Sequence, residues 1–505
     1  MQRNVLEYLE AAVEKWPEKI AFSDVNTSIS FRKLYSKTQA IAKGLLRQAG
    51  VSKKNQPVVV LIDRNVDSIV AMLGVVYTGC FYVPIDRTLP VERITKIIDN
   101  LKPMAIITMD KESLSFPEYK KCTYTINELL QEENVEYDLE IIRNQVIDTD
   151  PLYAIFTSGS TGDPKGVLVS HRSVIDLIDN FKEEFHLNEE TVLANQAPFD
   201  FDVSVKDIYS TLKNGATMHI VPKILFVSPA NLIPYLNECK VNTIIWAVSA
   251  LRIIENFKIF GEMLPEYLHT VMFSGEVMPN RVLNYWRRYL PDVAYINLYG
   301  PTEITCNCTF YKVDRDYKDE DKLPIGKPFK NTDVFILNEE NALAQSGELG
   351  EICVRGTSLA LGYYNNPERT EEAFCQNPLN PYYPEKIYRT GDIGYMDEEG
   401  LAYYVSRKDY QIKHMGHRIE LGEIENLVSA VPVIDACCCL YNQAKEKIVL
   451  CYQANKKCEQ EILQSLGKQL PKYMFPNKFI QVDTFPINKN GKIDRNELKE
   501  RYLVK

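Results

Sequence analysis

Residues 151–171 read PLYAIFTSGSTGDPKGVLVSH, and no other stretch limits the fold as much. An apolar run at 152–156 has strand character, and 157–164 is almost wholly small, hydroxylic or turn-forming. A second apolar run follows at 167–169, and a helical pattern begins at His171. The periodicities read as strand, loop, strand, helix. Gly159 and Gly162 permit a sharp turn and a close approach of backbone to a ligand. Thr157, Ser158, Ser160 and Thr161 set hydroxyl donors beside exposed N–H groups, which is the chemistry of a phosphate cradle. Lys165 adds a compact positive charge. A Walker A loop is excluded, because that motif needs Ser or Thr directly after the lysine, and here Gly166 stands there with Pro164 in front.

What surrounds this stretch alternates. Residues 58–62 and 105–108 are apolar strand patterns, with helical patterns at 40–46 and 91–100. The uncharged run 68–85 contains Gly74, Gly79 and Pro84, so it divides into a buried helix and a strand at 81–85 and does not cross a membrane. Alternation over residues 20–150 predicts a parallel sheet with helices on its faces. Near the other end, 436–441, the IVLCY run, 461–470 and 478–482 read as strand, strand, helix, strand, a compact α+β unit.

Formal net charge is −10 over 505 residues, which disfavours a nucleic-acid partner. The twelve cysteines show no CxxC pair, and Cys437, Cys438 and Cys439 lie in an apolar run expected to be buried. The N-terminal pattern Val5, Leu6, Leu9, Val13, Trp16 is an amphipathic helix and not a signal peptide. Free thiols and no secretory signal point to a reducing cytoplasm.

Further motifs follow in order: APFDFDVSVKDIY at 197–209, VMFSGEVM at 271–278, YINLYGPTEIT at 295–305, YRTGD at 388–392, SRKDYQIK at 406–413 and PINKNGKID at 486–494. Together with the 157–166 loop they resemble the adenylate-forming superfamily, and within it the amino-acid adenylation domains of non-ribosomal peptide synthetases and the ligases that load D-alanine onto a carrier protein. The resemblance implies an α/β fold. It has a large N-terminal domain (1–408) of parallel-sheet subdomains plus a β-rich subdomain around 347–374. A small mobile α+β domain (409–505) follows a hinge at Asp409.

It also implies roles. Thr157 to Gly162 and Lys165 would hold the outer phosphates of ATP. Gly275 and Glu276 would wall an adenine slot, Asn297 would read the exocyclic amine, and Tyr299 would stack on the base. Thr302 would reach the α-phosphate and Glu303 would bind Mg²⁺. Asp392 would accept the ribose hydroxyls, with Arg407 and Lys413 near ribose and phosphate. Lys492, on the Asn490-Gly491 turn, would reach the reacting carboxylate. Residues 347–374 are taken as scaffold, and Glu420, Glu423 and Glu425 as helix N-terminal acids.

The substrate pocket implied by the resemblance is Asp202, Val203, Lys206, Ser249, Met272, Ser274, Leu298, Cys306 and Asn307, with Lys492. An aspartate at 202 would pair with a substrate α-ammonium, which acyl- or aryl-CoA synthetases do not need. D-alanine ligases resemble an apolar box with cysteine at the Ser274 position and a non-basic residue at Lys206. This chain departs from them. A lysine pointing inward wants an anion; one snorkelling outward carries no meaning. The implied activity is ATP-dependent formation of an aminoacyl-adenylate and its transfer to the phosphopantetheine thiol of a carrier protein in trans. A small polar or acidic amino acid is the expected substrate, a D-alanine ligase the alternative and an acyl/aryl-CoA synthetase a more distant one.

Overall fold

A computed structural model describes residues 2–50, 53–111, 117–131, 138–158, 163–408, 411–487 and 493–503. Contacts divide the chain into two compact units: residues 1–87, 101–155 and 166–408 form the first, and 88–100, 156–165 and 409–505 the second.

Among the described residues the first unit is built on three sheets. One has seven strands in the order Gly362–Tyr363, Lys165–Ser170, Pro151–Thr157, Phe81–Asp86, Pro57–Ile62, Ala105–Thr108, Thr123–Thr125. The last five are mutually parallel, as the alternation predicted. Parallel strands need both faces covered, and Pro57–Ile62 is buried at every position. The uncharged run after it is the helix Val66–Tyr77, capped by Asn65, whose side chain accepts from Ser68 N at 3.0 Å. Phe81–Asp86 follows as the expected strand. No helix among the described residues is long and apolar enough to cross a membrane.

The second sheet has nine strands, with Ala294–Tyr299, Thr270–Ser274, Thr243–Ala247, Val192–Asn195, Thr217–Ile220 and Ile20–Ser23 forming its parallel centre. The first strands of the chain depart from the expected alternation. Ile20–Ser23 and Ser28–Ser30 do not join the sheet of their sequence neighbours; Phe22 pairs with Met218 instead. The third sheet is antiparallel: Thr332–Leu337, Gly350–Gly356, Lys386–Met396 and Phe374–Gln376, with Ala402–Arg407 pairing the long strand.

In the second unit a hairpin, Gln411–His414 with His417–Glu420, leads into the helix Leu421–Ser429. The strands Ala436–Asn442, Lys447–Gln453 and Lys478–Gln481 form a sheet, and its Leu450 shares one apolar cluster with Ile424 and Leu466. Cys438 and Cys439 are buried as expected, but Cys437 is half-buried, its thiol near Glu425 O. All twelve cysteines are free. Glu425 is not the helix N-terminal acid expected. It lies past the first turn, takes a 2.6 Å ion pair from Arg495 and accepts from Cys439 N, so it ties helix, strand and Arg495–Tyr502 together. Glu420 accepts from Gln411 across the hairpin.

His171 opens the helix His171–Phe185 and is buried, its Nδ1 accepting from Val5 N at 3.4 Å. That bond needs the neutral ring. Burial pushes the imidazole from 6.5 down to about 3, against the opposing field of Asp150. Below pH 6.5 the unfolded chain takes up the proton first, so stability is lost as pH falls through the window from 6.5 to 3. By pH 5 the loss is about 2 kcal/mol. Urea unfolding at pH 7 and pH 5 checks this, because His171→Asn keeps an acceptor without the titration and is expected to lose less on acidification than the native chain. Equal losses would refute it.

Candidate active site

Parallel strands deliver side chains at their C-terminal ends, where open α/β sheets place ligands. Thr270–Ser274 and Ala294–Tyr299 run side by side there, with Met272 opposite Ile296 and Phe273 opposite Asn297. The strand ends therefore bring Ser274, Gly275 and Glu276 to the same edge as Tyr299. Gly275 has φ +93° and nothing within 4 Å of where a Cβ would lie, so bare backbone faces open space there.

Tyr299 donates its phenol proton to Asp392 Oδ2, and Arg407 Nη1 donates to Asp392 Oδ1 at 2.8 Å and to Thr390 O at 2.8 Å. Burial holds the Tyr299 phenol neutral well above its ordinary range. Asp392 is thus a buried carboxylate oriented on both oxygens, each with capacity for a further donor such as a ribose hydroxyl. Asn297 Nδ2 donates to Pro324 O at 2.8 Å. Its Oδ1 is left as the acceptor that an exocyclic amine would require.

Thr302 and Glu303 lie in the single turn Thr302–Ile304, both buried, with Glu303 at 0% exposure. Tyr363 donates its phenol proton to Glu303 Oε1 at 2.7 Å. Ala360 N donates to Glu303 O at 2.9 Å, and Thr305 Oγ1 to Ser358 O at 2.8 Å. Tyr363 is itself fixed by pairing with Val167 in the strand Lys165–Ser170. Residues 347–374 are therefore not scaffold alone. Tyr363 orients the acid expected to face a metal, and nothing in GYY at 362–364 signals that from sequence.

Mg²⁺ suits this acid. No group of three or more metal-ligating side chains occurs among the described residues. Mg²⁺ commonly uses one or two carboxylates and fills its octahedron with phosphate oxygens and water, so a single buried, oriented Glu303 is adequate.

Of the expected pocket residues, Ser274, Cys306 and Asn307 meet Lys206 of the helix Val203–Asn214. Asp202 stands at its N-cap position, 6% exposed, yet makes no capping bond to the helix. A solvated loop aspartate is thereby excluded. Lys206 is wholly buried and points inward: Nζ donates to Asn307 Oδ1 at 2.7 Å and to Ser274 Oγ at 3.4 Å, and lies 6.0 Å from the Phe181 ring centroid. No motif in the sequence singles out Phe181. Val203, Met272, Leu298 and Cys306 are buried, and Ser249 is half-buried on the helix Val248–Asn256. Cys306 lies in the field of the Lys206 ammonium, though burial still pushes its thiol well up. Thr305 and Cys306 both have positive φ, 56° and 79°, a strained path that presents Cys306 and Asn307.

Thr157, Ser158, Lys165 and Lys413 belong to the second unit. Within it Thr157 ends its strand, and the Ser158 hydroxyl donates to Arg418 O at 2.8 Å. Lys165 and Lys413 are half-buried. Gly159, Ser160, Thr161, Gly162, Asp409 and Lys492 lie outside the described residues.

A family model described as AMP-binding enzyme matches residues 9–364, and a second, AMP-binding enzyme C-terminal domain, matches 423–492. The chain belongs to the AMP-binding enzyme family. This AMP-binding enzyme is 30% identical to tyrocidine synthase 1 of Brevibacillus parabrevis over 507 residues, covering 99% of this chain but 45% of that protein. It is 30% identical to the D-alanine--D-alanyl carrier protein ligase of Bacillus cytotoxicus, covering 96% of this chain and 98% of that one. The fold matches the Vibrio cholerae adenylation domain AlmE, solved with glycyl-adenosine-5'-phosphate, at TM-score 0.85 and 22% identity, over 100% of this chain and 98% of the other. The chain spans less than half of some curated relatives and nearly all of others.

Proposed function

We propose that the enzyme activates an amino acid as its aminoacyl-adenylate and passes the acyl group to the phosphopantetheine thiol of a separate carrier protein, with a small polar or acidic amino acid as substrate. The observation that carries this is Asp202, a buried carboxylate at the start of the pocket helix. A substrate bearing an α-ammonium offers this acid an opposite charge, and a fatty or aryl acid does not.

In the first step the substrate carboxylate oxygen bonds to the α-phosphorus of ATP and pyrophosphate leaves. The protein's task is alignment and charge stabilisation. Thr302 would meet the α-phosphate, and Asp392, oriented by Tyr299 and Arg407, the ribose. Gly275, Glu276 and Asn297 would bound the base. Mg²⁺, held by Glu303, would neutralise phosphate charge, with the 157–165 loop around the outer phosphates. Lys492 would sit against the reacting carboxylate, and Lys413 near the nucleotide. In the second step the carrier thiol replaces AMP on the acyl carbon. A hinge at residue 409 and the withdrawal of Lys492 between steps are proposed from the sequence resemblance alone. The twelve free thiols support a reducing compartment, the cytoplasm.

ATP–pyrophosphate exchange tests the reading. Amino acids are expected to stimulate exchange while amine-free analogues of the same size do not, and Asp202→Ala is expected to raise the amino acid KM at least about 100-fold. Exchange driven by an amine-free acid, untouched by Asp202→Ala, would favour a CoA synthetase.

A further inference from the structure

Lys206 is out of balance with its surroundings. It is 0% exposed. Its ammonium has three donors, of which only the bond to Asn307 Oδ1, at 2.7 Å, has full strength. The contact to Ser274 Oγ is long at 3.4 Å, and the Cys306 thiol is a weak acceptor. All these partners are neutral. Among the described residues no carboxylate lies within ion-pair distance of Nζ, although a buried ammonium ordinarily has one.

Two acids are near in sequence, and neither fills the gap. Asp207 turns to Asn195, whose Nδ2 donates to Oδ2 at 2.8 Å, and it shares its field with Arg64 as well as Lys206. Burial also pushes Asp207 up to about 7, against the hydrogen bond from Asn195 and the fields of Lys206 and Arg64. Asp202 is the acid that the proposed reaction assigns to the substrate α-ammonium. Once that ammonium binds, the pocket holds one more cation, and Lys206 is further from neutrality than before.

We propose that Lys206 is a specificity-determining residue whose missing counter-ion is the side-chain carboxylate of the substrate, so that the enzyme selects an acidic amino acid of the aspartate or glutamate class. This rests on the reading of the enzyme as an amino-acid-adenylating ligase. Asn307 and Ser274 then act as guides that hold the ammonium in place, and the carboxylate takes the donors that the long Ser274 contact and the thiol leave poorly used. The same arrangement rejects lysine and arginine by charge, and leucine or phenylalanine because their entry would leave the ammonium uncompensated.

The test is ATP–pyrophosphate exchange with both isomers of aspartate and glutamate, beside asparagine, glutamine, serine, alanine, glycine and leucine. For the native enzyme an acidic amino acid is expected to give the highest kcat/KM. Lys206→Met, which keeps the length and removes the charge, is expected to lower that value about 100-fold or more and to shift preference to an uncharged amino acid. Native exchange confined to glycine, alanine or other uncharged amino acids would overturn the inference and leave the adenylation reading standing, with Lys206 a mere filler of the pocket. Exchange with no amino acid would remove both. Undiminished preference for the acidic substrate in a folded Lys206→Met enzyme would also overturn it. The native panel decides on its own if that variant does not fold.

Discussion

Glu303→Gln is expected to cut the rate of ATP–pyrophosphate exchange about 1,000-fold while leaving the melting temperature nearly unchanged. The side chain is wholly buried, and one oxygen accepts the Tyr363 phenol at 2.7 Å. Glutamine has the same shape and keeps an acceptor for that phenol, so packing survives. What is lost is the negative charge, and with it the hard anionic oxygen that Mg²⁺ prefers. Removing one group aimed at developing phosphate charge costs about two to three powers of ten. Raising Mg²⁺ is expected to recover part of the loss if Glu303 holds the metal as proposed. Tyr363→Phe leaves the charge and removes only its orientation, so a smaller loss of about 10-fold is expected. Exchange by Glu303→Gln close to the native rate would show that Glu303 does not serve the reaction.

Gly300→Ala is the second large effect, and it acts on fold and pocket together. A Cβ at residue 300 would stand 2.6 Å from Asn307 Cα, 2.8 Å from Cys306 O and 3.0 Å from Cys308 N. These are backbone atoms with no rotamer to escape into. The segment folds back this tightly because Cys308 N donates to Tyr299 O at 2.8 Å, opening the antiparallel pairing of Tyr299 with Thr309. Overpacking of this kind costs roughly 1–3 kcal/mol, and relief would come at the strained, positive-φ pair Thr305 and Cys306. Moving it displaces Asn307 from Lys206. Urea unfolding is therefore expected to show a loss of about 2 kcal/mol, and exchange assays a rise in amino acid KM larger than the rise in ATP KM. Equal rises, or none, would refute the link between Gly300 and the pocket wall.

Legibility from sequence differs by residue. The strand and helix order from Pro57 to Thr108 follows from runs of side chains that each element must bury, and those runs are local. Tyr299, Glu303 and Asp392 stand out because the stretches around them, 295–305 and 388–392, resemble motifs of a family. The inward course of Lys206 is not legible in this way. A lysine on a helix is compatible with either direction, and only the packing of Phe181, Ser274 and Asn307 around it decides.

The sequence by itself determined the order of most strands and helices, because burial periodicity acts over a few residues, and it offered candidate site residues through motifs that resemble a family's. Only the tertiary structure decided which of them meet. Tyr363 reaches Glu303 from 60 residues away and Asp392 reaches Tyr299 from 93. The strand Ile20–Ser23 leaves its sequence neighbours to lie against Thr217–Ile220. Such pairings depend on the order of strands in a sheet, and that order is set by how whole apolar faces cover one another, a property no short stretch of chain contains.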